Sequence, residues 1–587
     1  MVDMPSHFKL SPAVRLTRGV RFLFMITAGL WFGFVSGLVS PVRADEAGRA
    51  SDGEAATVAA TAEAVKPEVP APGFAFADVE GLARRQAEKS YKTADSRLVE
   101  ALRAIPEDKW NAIAFKDARR LWHDSGLPFE IGFFHPGFIF DQVAAISEVD
   151  GGRERPVAFS PEMFDLGDPA VADKVKPLDL NFAGFRVYFP INDGDHKDEV
   201  VVFLGGTHFR AVARKSGYGL TARGLILNPA ASEGEEFPYF RRFWLVRPEP
   251  DSTLLTIYAL LDSPSLTGAY QFIIKPGTST VMEVKARLFK RSGARWPKKI
   301  GLSPVGGMYL FSEKENGSSL DWRPEVHNAD SLLVATDQGE WLYRPLINPG
   351  RLAISGFELA GLKGFGLMQR DADFDHYQDI EARFDRSPSL WIEPLGDVAK
   401  GRLELIEIPS NRDYNDNILA FWMPERLSTS SSTDGAPPTE PGSVAESQTD
   451  ISLSYRLYWM APGVTPHELG RVVSTRQVIE PQLEKATFVI DFESEDLNAI
   501  PAETGLASQI ETGENYPLLE KSLKKNQITG GWRLMFKVRL PQEKSVMQSL
   551  ISVGKDPVSP RFKARLIKGE NLPEPLTETW VYDQPLK

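Results

Sequence analysis

From Pro128 onward the chain is a series of apolar runs of strand length, separated by glycine, proline and polar residues. Residues 129–141 (FEIGFFHPGFIFD), 182–192 (FAGFRVYFPIN) and 199–212 (EVVVFLGGTHFRAV) open the series. Residues 216–228, 240–248 and 254–274 (LLTIYALLDSPSLTGAYQFII) continue it. Runs of this length with turn residues between them predict antiparallel strands stacked as a large sandwich, not alternating strand and helix units. Helical periodicity is confined to the stretch before them. Asp78 stands where it can cap a helix whose Val79, Leu82, Ala83 and Gln86 share one face. A second helical patch is predicted near residues 115–122.

After Trp422 the pattern breaks. Residues 425–450 are rich in Ser, Thr, Pro and Gly and have no apolar face, the composition of a flexible linker. Near-alternating runs then return at residues 451–460 (ISLSYRLYWM), 486–492, 530–540 (GGWRLMFKVRL) and 577–585. They predict a small all-β unit of immunoglobulin-like size. The predicted fold class is mainly β: a large antiparallel β-sandwich domain over residues 74–424, followed by a smaller immunoglobulin-like β-sandwich over residues 451–587.

The start of the chain reads as a secretion signal. Lys9, Arg15, Arg18 and Arg21 precede an uncharged apolar run over residues 22–39, and Val42-Arg43-Ala44 fits a cleavage site. The run is also long enough to stay as an anchor, but the small residues that follow at once favour removal of residues 1–44. Residues 45–73 have almost no large apolar side chains and are expected to form a disordered leader.

Composition narrows the functional classes. A chain of 587 residues is too long for one core, so at least two domains are expected. The net charge of −12 argues against a nucleic-acid partner. With no cysteine there is no disulfide, thiolate metal site or cysteine nucleophile. The eight histidines show no HExxH pattern, so no metal and no cofactor is expected.

The candidate chemistry lies mainly between Trp322 and Trp422. Three strings combine an aromatic with an arginine and a carboxylate or amide, as a sugar groove needs. They are Trp322-Arg323-Pro324-Glu325-Val326-His327-Asn328, Gly339-Glu340-Trp341-Leu342-Tyr343-Arg344, and the stretch holding Arg370, Tyr377, Asp379 and Trp391. Trp322, Trp341, Tyr377 and Trp391 are candidates for stacking on sugar rings. Arg323, Glu340, Arg344, Arg370 and Asp379 are candidates for contacts with hydroxyls. The same residue types also build cores and sheet-edge ion pairs, and His327 also reads as a hydrogen-bonded core histidine. The segment Asn411-Arg412-Asp413-Tyr414-Asn415-Asp416-Asn417 precedes the apolar run 418–422. It suits either hydroxyl binding or an ordinary turn, because Asp and Asn side chains bond their own backbone.

Several strings resemble the bacterial periplasmic glucan biosynthesis proteins of the MdoG/OpgG/OpgD family. They include Gly364-FGLMQR-Arg370, Arg386-SPSLWIEP-Pro394, Gly401-RLELIEIPS-Ser410 and Asn415-Asp416-Asn417-Ile418. Tyr218-Gly219-Leu220 with Arg223-Gly224-Leu225, Gly234-Glu235-Glu236-Phe237-Pro238 and Tyr258-ALLDSPSLTGAY-Tyr270 belong to the same set. The resemblance runs from about Phe74 to the C-terminus. It implies a two-domain periplasmic protein acting on a β-1,2-linked glucan, with the glucan synthesis machinery of the inner membrane as a further partner. The family includes β-1,2-glucanases that invert the anomeric configuration, and also inverting transferases. Asp416 resembles their general acid. The position of their general base, an Asp after the His of the Arg-Pro-Glu-apolar-His motif, is here Asn328. An amide cannot accept a proton as a carboxylate does. Hydrolysis through a substitute such as Asp330 or Asp337, transglycosylation with possible cyclisation, and non-catalytic binding as a scaffold are therefore the readings the resemblance leaves open.

The N-terminal pattern makes one direct prediction. Mass spectrometry of the periplasmic fraction should find a mature chain beginning near Asp45. Recovery of the intact chain in the inner membrane would overturn it.

Overall fold

The apolar runs meet in two large sheets. The computed structural model describes residues 73–584 except 94–95, 176–177, 313–320, 397, 399, 426–448, 541–559 and 570–573. The expected signal peptide, nearly all of the leader and most of the linker lie outside the described residues. One sheet has 10 strands and runs from Glu130–Phe134 through Gly184–Phe189, Asp198–Leu204, His208–Ala211, Thr221–Arg223, Ile300–Gly307, Ile418–Pro424 and Gly401–Glu407 to Ala353–Leu359. The other has 15 strands, almost all paired antiparallel. They stack face to face, as period-2 patterning demands. Across the interface Phe203 sits 5.6 Å from Phe243 and 5.1 Å from Phe272 between ring centroids. Phe209 lies 6.1 Å from the fully buried Trp459.

The helical stretches are short and peripheral. Helix Phe76–Ala87 begins two residues before Asp78, so Asp78 is not its cap. Its carboxylate instead reaches back to accept the Ala75 amide at 2.8 Å. Val79, Ala83 and Ala87 bury against Trp244, Ala269 and Phe289 of the larger sheet. The second helical patch is absent. Ala114–Phe115 pairs as a strand with Phe164–Asp165, and only Asp117–Arg119 makes a single 3-10 turn. The helices of that region, Ser96–Arg103 and Glu107–Asn111, come earlier.

The strand expected to open the C-terminal unit lies elsewhere. Asp450–Met460 pairs with Thr280–Lys290 on one side and Ser389–Pro394 on the other, in the interior of the larger sheet. Near the chain's end, Thr579–Asp583 pairs in parallel with Trp341–Pro345 of that sheet. A boundary at residue 451 therefore cuts through a continuous ladder. A four-stranded sheet (Arg471–Glu480, Lys485–Glu493, Trp532–Arg539, Leu518–Lys525) packs on this part of the larger sheet.

The middle strands of the larger sheet are consequently buried on both faces. Along Ser331–Thr336, Leu332 and Val334 face the main core while Leu333 and Ala335 face the C-terminal core. Leu367 and Met368, Leu390 and Trp391, and Trp459 and Met460 divide in the same way. A fully buried bidentate ion pair ties the two large sheets, with Arg344 donating to both oxygens of Glu407 at 2.7 Å.

This continuity is testable by cutting the chain. With a specific protease site inserted between Glu425 and Thr449, the two fragments should co-elute as one native particle after cleavage. Elution of the C-terminal fragment alone would show that the shared ladder does not hold them.

Candidate functional site

Asp416 is held at the rim of the smaller sheet by the residue after it. Asn417 is buried, and its Nδ2 donates to the carbonyls of Tyr309 (2.9 Å) and Ile408 (3.0 Å). Its Oδ1 accepts the Tyr309 amide at 2.8 Å, and its own amide donates to Gly307 at 3.0 Å. With both sides of Asn417 pinned, the preceding side chain has a defined exit. A Cβ on Gly306 would come 3.2 Å from Asp416 Oδ2, so this glycine leaves the carboxylate its space. A Cβ on Gly307 would meet Leu220 at 2.6 Å and Asn328 Oδ1 at 3.2 Å. Successive strand residues point to opposite faces. Asp416 and Asn328 therefore flank one glycine pair from opposite sides.

On the outer face, away from the core, Asp416 lies near Arg210 and shares a hollow with Arg223 and Glu235. Its side chain is 12% exposed, and Arg210 Nη2 lies 3.8 Å from its Oδ2. Arg210 Nε also donates to Thr221 Oγ1 at 2.7 Å. Arg223, two residues along that strand, lines the same hollow as Glu235, and the two stand 3.6 Å apart. Ile406, Ile408 and Leu419 give the hollow an apolar wall. Burial pushes the Glu235 carboxyl up to about 7, although the Arg223 charge opposes this.

The loop carrying Asp416 is anchored by Arg323. Its guanidinium binds Asp321 (2.8 Å), Asp379 (2.8 Å) and Asp413 (2.9 Å), joining three separate segments. Beside each of these carboxylates a large apolar or aromatic side chain stays in solvent. Trp322 is 72% exposed, Ile380 79% and Tyr414 40%. An exposed aromatic whose neighbours are fixed is the form a sugar-stacking surface takes.

The family model described as "Periplasmic glucan biosynthesis protein, MdoG" matches residues 74–584. The chain belongs to this family. "Glucans biosynthesis protein G" of Ralstonia nicotianae is 39% identical over 475 residues, covering 79% of this chain and 90% of that protein. Its namesakes from Sodalis glossinidius (37% over 521 residues) and Pseudomonas paraeruginosa (36% over 532) each cover 88% of this chain and 94% of their own. A solved chondroitinase AC lyase aligns over 57% of this chain and 37% of its own, with 12% identity and a TM-score of 0.17, a likeness too slight to bear on fold or function.

In this MdoG-family chain the residues expected to bind substrate divide sharply. Arg323 and Asp379 do lie beside the Asp416 loop, as ties rather than free donors. His327 and Tyr377 are buried beneath it. His327 Nε2 meets Glu325 Oε2 at 2.6 Å and its Nδ1 meets Gln369 at 3.0 Å. Burial acts to lower the His327 pKa, but Glu325, Asp330 and Gln369 together outweigh it and the net direction is upward. The Tyr377 hydroxyl accepts from Gln369 (2.8 Å) and donates to the Asp371 carbonyl (3.2 Å). The remaining candidates belong to the seam with the C-terminal sheet or to the core. Trp341 stacks on Trp391 at 5.4 Å, Glu340 accepts from Thr579 at 3.0 Å, and Arg370 is bidentate on Glu578 at 2.6 and 2.8 Å. Arg344 is spent on Glu407.

Asn328 has a structural task, since its Oδ1 accepts the Met308 amide at 2.7 Å. Neither suggested substitute base stands at Asp416. Asp330 accepts from Ser331 and from the amides of Arg370 and Asp371. Asp337 packs on Gly361 beyond the far end of strand Ser331–Thr336. Among the described residues, one set with metal-ligand spacing occurs, Glu325, Asp371 and His376, with ligand atoms within 4.8 Å of one another. His376 Nδ1 already lies 2.7 Å from Asp371 Oδ2, and Glu325 is engaged by His327.

The Arg323 anchor can be removed. Arg323→Met leaves three carboxylates without their cation, and the Asp416 loop should loosen. Hydrogen exchange should quicken in a peptide spanning residues 411–417 and stay unchanged in strand Leu266–Lys275. Unaltered exchange in the loop would show that the ion pairs do not hold it.

Proposed function

We propose that this protein works in periplasmic glucan biosynthesis, acting on the β-1,2-linked backbone as an anomer-inverting transglycosylase or hydrolase. The observation that carries the reading is the placement of Asp416: a carboxyl on a pinned loop, at the edge of a hollow with an apolar wall, on the outer face of a rigid sheet. In the proposed step Asp416 gives its proton to the glycosidic oxygen as the bond from that oxygen to the anomeric carbon breaks. An acceptor oxygen bonds the anomeric carbon from the opposite face and gives its own proton to solvent. Inverting enzymes use a second carboxylate to receive that proton from water. Asn328 offers none, and its oxygen is already occupied by a backbone amide. A sugar hydroxyl must lose a proton too, but its ring is held in the hollow beside the anomeric carbon while water is not, and this positioning favours transfer. The names of the relatives, proteins of glucan biosynthesis rather than degradation, agree with that direction. The same missing carboxylate supports a second reading, glucan binding as a scaffold without turnover.

Chromatography of products from linear β-1,2-glucan separates these readings. Transfer gives new chain lengths without new reducing ends, hydrolysis gives new reducing ends, and a scaffold leaves the polymer unchanged. Asp416→Asn should lower turnover by about 10²- to 10⁴-fold while glucan binding survives. Asn328→Asp should raise the share of hydrolysis, the new carboxylate receiving the proton of water through a relay because it lies across the glycine pair from Asp416. Full activity in Asp416→Asn would remove the acid assignment. An unchanged product ratio in Asn328→Asp would remove the acceptor bias and leave the acid in place.

A further inference from the structure

Arg223 is out of the ordinary for a buried arginine. Its side chain is 7% exposed, yet its nearest carboxylate oxygen, on Glu235, is 3.6 Å away, beyond hydrogen-bond length. Its Nε is buried without any hydrogen-bond partner among the described residues. Buried guanidinium donors are normally satisfied, because an unmade bond there costs much of the group's hydration. Arg344 and Arg370 also bury an unpartnered Nε, so the contrast lies in the terminal nitrogens. Arg344, Arg370 and Arg323 each make short bidentate or multiple contacts with carboxylates. Arg223 instead faces the hollow that Asp416 borders, and Glu235, 9% exposed, faces it too.

We propose that Arg223 and Glu235 form a sugar-binding subsite beside Asp416, in which the Arg223 N–H groups donate to hydroxyl oxygens and the Glu235 carboxyl hydrogen-bonds a neighbouring hydroxyl. The inference rests on the reading of the substrate as a β-1,2-glucan. The ligand class follows from the donor set: a neutral, hydroxyl-rich molecule supplies acceptors to a guanidinium and both donors and acceptors to a carboxyl group. Ile406, Ile408 and Leu419 supply the apolar wall for the carbon face of a ring. Both polar residues position the glucan and neither takes part in bond breaking.

The pair also sets a dependence on pH. The charged or titratable groups on the elements packed here are Arg223, Arg210, His208, Asp416, Glu404 with Lys299 and Arg402, and, on Glu235's own loop, Glu236 bound to Ser265 and Glu233 with its partner Lys298. His208 is pulled down to about 3 by burial and by the Arg223 charge, so it stays neutral throughout the relevant range. Below about pH 7 the Glu235 carboxyl is protonated and leaves Arg223 available to the ligand. Above it, the ionised carboxylate draws the guanidinium into a direct ion pair and competes with the glucan.

The test is calorimetric binding of linear β-1,2-glucan to the full-length Asp416→Asn protein, at pH 6 and pH 8. Affinity should fall about tenfold from the lower to the higher pH, since only the protonated fraction binds. Adding Glu235→Gln, which cannot ionise, should abolish that fall. Adding Arg223→Met should weaken binding about tenfold or more at pH 6. Glu235→Gln keeps the shape of the site and serves even where Arg223→Met does not fold. Binding that ignores Arg223→Met, or a fall with pH that persists in Glu235→Gln, overturns the subsite alone. No binding by the Asp416→Asn protein at either pH overturns the reading of the substrate and the subsite with it.

Discussion

Burial of the middle of the larger sheet on both faces is the constraint from which the rest follows. Strands Ser331–Thr336, Leu362–Met368, Ser389–Pro394 and Asp450–Met460 carry one core on their even side and another on their odd side. Every residue of Ser331–Thr336 is buried and Lys363 is the one exposed residue of the other three strands, so most polar side chains here need a partner inside. Gln369 bonds His327, Tyr377 and the Phe384 carbonyl, and Ser389 bonds the Gln369 amide. The site can then be built only where a sheet has an open face. That is the outside of the smaller sheet, where Arg210, Arg223 and Asp416 stand.

Ion pairs do the joining that apolar contact does not. Arg344 with Glu407 crosses between the large sheets, and Arg370 with Glu578 fastens the C-terminal part to the end of strand Leu362–Met368. Such pairs recover little net stability, since desolvation offsets much of the attraction, but breaking one side of a buried pair costs about 3–5 kcal/mol. They therefore act as registration devices, fixing how one layer sits on another. Arg323 plays the same part nearer the surface, where it sets the place of the Asp413–Asp416 loop and of the exposed Trp322 and Tyr414 rings.

The strands themselves were legible from the sequence because turn residues separate them so plainly, whereas Asp416 stood out by resemblance alone, since a polar loop running into the apolar strand Ile418–Pro424 suits an ordinary turn as well. The partition of the aromatics was not. Trp341, Tyr377 and Trp391 beside arginines and acids have the composition of a groove, and a doubly covered sheet needs the same composition for its internal ties. Nor does local sequence say that residues 450–460 join strands separated from them by the linker, since pairing across such distances leaves no periodic trace. Arg223 and Glu235 escaped notice as functional residues for a similar reason. They sit far from Asp416 along the chain, and only the ladder from Thr221–Arg223 through Ile300–Gly307 to Ile418–Pro424 brings them alongside.

The interior position of strand Asp450–Met460 also governs when the fold can form. A chain emerging N-terminus first has Thr280–Lys290 and Ser389–Pro394 in hand long before their common neighbour arrives. Until then the larger sheet has two open, apolar edges and cannot close its core. Contacts between such distant segments form slowly, and unpaired edges recruit other chains. Folding of this protein is therefore committed late, when most of the chain is already present.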